Sequence, residues 1–135
     1  MAFKFEKLEV WQRALDYSDA AEAIARELPP AERFNLSDQI RRAATSVALN
    51  IAEGAVGQSD AEQSRFLGYA QRSLVETVAC LHLIQRRGYV EPEQLRAASR
   101  EAETLFRQLA VFQRSLGGRM GVREDAADYK LPLPF

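Results

Sequence analysis

Apolar side chains recur every three or four residues along most of this chain. That is the period of one face of an α-helix, and it predicts four of them, at about 7–28, 37–55, 60–87 and 92–116. In the first, Val10, Ala14, Tyr17, Ala21, Ile24 and Leu28 form a seam, which Leu8, Trp11 and Leu15 widen to nearly half the circumference. A helix docking on one neighbour needs less, so this one sits between two neighbours or shows part of its face to another subunit. Trp11 suits either place, in the core or as an anchor at a contact. The second helix buries Ile40, Ala43, Ala44, Val47, Ala48 and Ile51. The third presents Phe66, Ala70, Ser73, Leu74, Thr77, Leu81 and Ile84, with Gly68, Val75 and Ala79 forming a slimmer strip suited to a contact outside the bundle. The fourth carries Leu95, Ala98, Ala102, Leu105, Phe106, Leu109, Phe112 and Leu116.

The breaks between these runs are chemically marked. Pro29-Pro30 stops the first helix, and Phe34 and Leu36 are expected to tuck under the bundle end. Asn35 or Ser37 is placed to cap the second helix, which Gly54 and Gly57 end. Ser59 and Glu62 have the spacing of a capping box for the third. Arg87-Gly88 closes it with a cation and then a glycine. Pro92 suits the first turn of the fourth, which Gly117-Gly118 ends. No strand-like alternation interrupts the pattern. The expected fold is all-α, an antiparallel up-down four-helix bundle over residues 1–118. A tail, 119–135, follows, and its Leu131, Leu133 and Phe135 are expected to dock in a groove.

One helix carries more than a core face. Beside the apolar seam of the second run lie Gln39, Arg42, Ser46, Asn50 and Glu53, with Arg41 adjoining. Amide, guanidinium, hydroxyl, amide and carboxylate in line are the inventory of a hydrogen-bond network. Ser73 and Glu76 on the next helix are placed to join it. The expectation is a buried or half-buried network in which Arg42, Asn50, Glu53 and Glu76 satisfy one another. Fully paired groups of this kind specify one arrangement of helices. Whether this lock closes within one bundle or between two is open at this stage.

Composition narrows the chemistry. The chain has 135 residues, a formal net charge of −1, one cysteine and one histidine. Its length suits one domain that folds without disulfide or metal. Cys80 lies in an apolar run, as a buried thiol would, and fits a reducing cytoplasm. No secretory signal is visible, and no run reaches the roughly 20 apolar residues of a membrane span. One cysteine and one histidine exclude a zinc cluster. His82 has no glutamate three residues before it, so a bundle di-metal site fails too, and it is expected to be solvated. No phosphate loop or catalytic triad is present. No enzymatic activity, metal or cofactor is therefore expected. Arg86, Arg87, Arg114, Arg119 and Arg123 are the candidate nucleic-acid contacts, although a net charge of −1 is little help in neutralising phosphates.

Phe5-x-x-Leu8-x-Val10-Trp11-x-x-Ala14, then Pro30-x-Glu32-x-Phe34-x-Leu36-x-x-Gln39-Ile40-Arg41-Arg42-Ala43-Ala44-x-Ser46-Val47-x-x-Asn50-Ile51-Ala52-Glu53-Gly54, then Arg65-Phe66-Leu67-x-x-Ala70-x-x-Ser73-Leu74-x-Glu76 resemble one family closely. It comprises four-helix-bundle proteins encoded in intervening sequences of bacterial large-subunit ribosomal RNA. The accessory variability protein of diversity-generating retroelements is related to it. The resemblance runs from about Phe5 to Gly88 and implies a homopentameric ring of bundles. The retroelement relatives are strongly basic, bind nucleic acid and associate with a reverse transcriptase, and this chain departs from them in charge. The reading that results is a cytoplasmic, non-enzymatic homo-oligomer. It acts as a scaffold or adaptor for an unidentified protein partner. The alternative is an RNA- or DNA-binding protein with an arginine-rich rim.

Overall fold

The computed structural model describes residues 3–57 and 59–117. Four α-helices account for most of them: α1 (Glu9–Arg26), α2 (Leu36–Gly54), α3 (Asp60–Arg87) and α4 (Pro92–Ser115). Short 3-10 turns precede α1 (Lys4–Lys7) and α2 (Pro30–Glu32). No strand occurs among the described residues, so the fold is all-α. The tail and its Leu131, Leu133 and Phe135 lie outside the described residues, as do Arg119 and Arg123.

Two apolar clusters fill the interior. The first joins Val10, Ala14 and Tyr17 of α1, Val47 and Ile51 of α2, Leu67 and Leu74 of α3, and Leu105 and Leu109 of α4. It therefore collects the start of α1 and α3 with the end of α2 and α4. The second does the reverse, gathering Ile24 and Leu28, Leu36 and Ile40, Cys80 and Ile84, and Leu95. Between them one hydrogen-bonded chain crosses the core. Thr77 donates its hydroxyl to the Leu74 carbonyl at 2.6 Å. Its single proton is then used, so the Tyr17 hydroxyl 2.6 Å away donates to Thr77. Burial pushes the Tyr17 phenol well above its ordinary range.

The helix ends follow local chemistry. Leu8 is extended, with φ −77° and ψ 131°, and divides the N-terminal turn from α1. Ser59 accepts from the Glu62 amide at 3.1 Å, while the Glu62 carboxylate turns outward to Arg65 instead of completing the box. Gly88 takes φ +70°, the left-handed conformation glycine adopts without strain. Asn35 stands at the start of α2 without capping it, because its amide is drawn to Glu32. Leu36 is buried, but Phe34 is 87% exposed with Arg33 over its ring, contrary to the expectation that both tuck under the end.

Two readings of α3 need correction. Gly68 is buried and Val75 packs against the first cluster, so of the small-residue strip only Ala79 is exposed. Phe66 is half-buried rather than central. At Gly54 the helices are so close that an added Cβ would stand 2.8 Å from the Phe66 Cβ. The Phe66 ring lies edge-on to Tyr69, centroids 5.4 Å apart.

Candidate functional site

The polar stripe lies along the seam where α2 meets α3. Ser46 on α2 and Ser73 on α3 join through their hydroxyls at 2.8 Å. Asn50, one turn after Ser46, donates its amide to the Ser46 carbonyl at 2.9 Å and to the Ser46 hydroxyl at 3.0 Å. Ser46 thus receives from Asn50, and all three residues are half-buried. Further along the seam Gln39 donates to the Glu76 carboxylate at 3.2 Å. Both are exposed.

The arginines stand apart from this seam. Arg41 turns to α1 and grips Glu22 with two bonds, 2.7 and 3.2 Å. This bidentate pair holds the Glu22 carboxyl below the usual carboxylate range, with Arg26 adding to it. Arg42 is exposed and, among the described residues, meets Asp38 on its own helix, at 3.5 Å. Glu53 is exposed, and its carboxylate has no hydrogen bond or ion pair among the described residues. Within one chain, therefore, Arg42, Asn50, Glu53 and Glu76 do not satisfy one another, and a serine–asparagine–serine seam stands in their place. The reason is geometric: Arg42 and Glu53 point outward, about 20° apart around α2, while Asn50 lies round toward α3.

Apolar groups flank the outward line. Leu49 is 59% exposed and Val56, just past the end of α2, is 66% exposed. Tyr69, one turn before Ser73, is exposed as well. Arg41, Arg42, Thr45, Ser46, Leu49 and Asn50 line a shallow hollow of about 470 Å³. Trp11 is half-buried, packing on the first cluster and edge-on to Phe5 at 4.7 Å. It contributes to the core without being enclosed by it.

A second polar cluster was not singled out from the sequence. Glu32, in the loop between α1 and α2, is only 6% exposed. Its carboxylate accepts from the Tyr89 hydroxyl at 2.8 Å, from Arg87 at 2.8 Å and from the Asn35 amide at 3.0 Å. The Tyr89 hydrogen bond is the main cause holding this carboxyl below its ordinary range, with Asn35 and Arg87 adding and desolvation opposing. The cluster ties the α1–α2 loop to the α3–α4 loop. It also engages Arg87, one of the candidate nucleic-acid contacts, which stays exposed. Arg86 remains exposed, and Arg114 is exposed near the other end of the bundle.

No group of three or more His, Cys, Asp or Glu side chains among the described residues is placed to hold a metal ion. His82 is half-buried rather than solvated. Cys80 is buried, and burial pushes its thiol up to about 11. A thiol so raised is a poor nucleophile near neutral pH. No helix among the described residues is long and apolar enough to cross a membrane.

A family model for the 23S rRNA-intervening sequence protein matches residues 6–111. The chain belongs to that family. Comparison with the curated proteins gives no match. The match to the 23S rRNA-intervening sequence family runs through both polar clusters and ends at Val111, before the last turn of α4.

Proposed function

We propose that this protein is a non-enzymatic, homo-oligomeric scaffold or adaptor of the cytoplasm. In this reading α1 to α4 run antiparallel, up and down, as their alternating ends in the two clusters suggest. The bundles assemble side by side into a homopentameric ring. The observation that carries the reading is the outward line of α2. Exposed Leu49 and Val56 stand beside the half-buried Ser46–Asn50–Ser73 seam. A surface that mixes an apolar centre with satisfiable polar groups is what a subunit contact needs. Solvated helix faces more often carry interchangeable lysine and glutamate.

Multi-angle light scattering at micromolar concentration tests it. The expected mass is about five times the 15.2 kDa of one chain. A monomer at that concentration removes the proposal.

The alternative, RNA or DNA binding, draws on Arg72 and Arg86. Both are exposed on α3 and have no acidic partner among the described residues. Most of the other arginines face a carboxylate, as Arg13, Arg41, Arg96 and Arg107 do. Such pairs oppose phosphate binding, which needs free cations. Retention on immobilised RNA at physiological salt is expected to be weak, and tight retention favours the alternative.

A further inference from the structure

We draw no further inference here: the strongest candidate, the apolar hollow between the start of α1 and the end of α4 lined by Leu8, Val10, Val111 and Phe112, carries nothing, because nothing in the structure shows what covers it.

Discussion

The Glu32 cluster and the Ser46 seam are built from similar groups and finish differently. At Glu32 a buried carboxylate accepts from a phenol, a guanidinium and an amide. The cluster is complete inside one chain. At Ser46 two hydroxyls and an amide form a short chain that stays half-exposed, with Leu49 standing clear of it. The difference separates two uses of polarity in a helix bundle. A charge taken out of water must be satisfied at once, because nothing later can rescue it. Neutral hydroxyls and amides can wait in water for a partner at little expense. The closed cluster therefore belongs to folding, and on the proposed assembly the open seam is left for association.

Breaking the closed cluster should have the largest effect. Glu32→Leu leaves Arg87 and Tyr89 without their shared acceptor and frees two loops from each other. It should lower Tm more than any other substitution named below. The size of the assembly below that Tm should not change. Cys80 reports the same event independently, since Val90 shares its cluster and Tyr89 packs against it. Alkylation of the wild-type thiol at pH 7.5 should be slow, and Glu32→Leu should accelerate it. Equal rates in the two proteins would mean that the Glu32 cluster does not hold that end shut.

The pH dependence has a definite sign. The folded carboxyl of Glu32 is depressed, chiefly by the Tyr89 hydrogen bond. Such a group contributes stability that is present above its unfolded value, and this is lost as the pH falls through the folded one. Glu32→Gln imitates the protonated acid. Its deficit in Tm should therefore be full at pH 7, should begin to close below about pH 4, near the ordinary glutamate value, and should vanish as the pH falls through the depressed folded one. A deficit that persists unchanged at pH 3 would assign the effect to shape instead of charge.

Gly54 probes the end of the seam away from Glu32, where α2 ends against α3. In a free helix, alanine is favoured over glycine by about 1 kcal/mol. Here the added Cβ would come within 2.8 Å of the Phe66 Cβ, which is the rigid base of its side chain and not a movable tip. Overpacking of this kind costs about 1–3 kcal/mol. Gly54→Ala should thus destabilise by roughly 1 kcal/mol net in urea unfolding. A gain in stability would show that the two helices separate easily at this point.

Much of this was legible in the residues. The four amphipathic runs and the Gly88 turn follow from short-range rules that tertiary contacts did not override. The run from Gln39 to Glu53 announced polar groups beside a core face. It did not announce their partners, because a helical stripe gives angle without distance. Arg41 and Arg42 are adjacent in sequence and serve different neighbours: Glu22 across the bundle, Asp38 on the same helix. Phe34 misled by composition, since an aromatic in a short loop is buried only if the loop faces inward. Glu32 stands in the family-like run without an evident role, because its partners lie more than 50 residues away, at Arg87 and Tyr89. Nothing local in Pro29-Pro30-Ala31-Glu32 names a tyrosine at the far end of α3.

The smallest effect in a lone chain should be the most informative about the seam. Asn50 donates twice to Ser46, yet it is half-exposed, so water replaces most of what its removal takes away. On a Leu49→Asp background, expected to be monomeric, Asn50→Leu should change unfolding free energy by no more than about 0.5 kcal/mol. In the otherwise native chain the same substitution should weaken assembly, because a covered seam has no water to offer the Ser46 and Ser73 hydroxyls. The background matters: stability and association are inseparable in a chain that assembles, and only the monomer isolates the first. A loss of several kcal/mol in the monomer would place Asn50 with Glu32 among the groups that folding requires. The distinction between a closed cluster and an open seam would then fail at the seam itself.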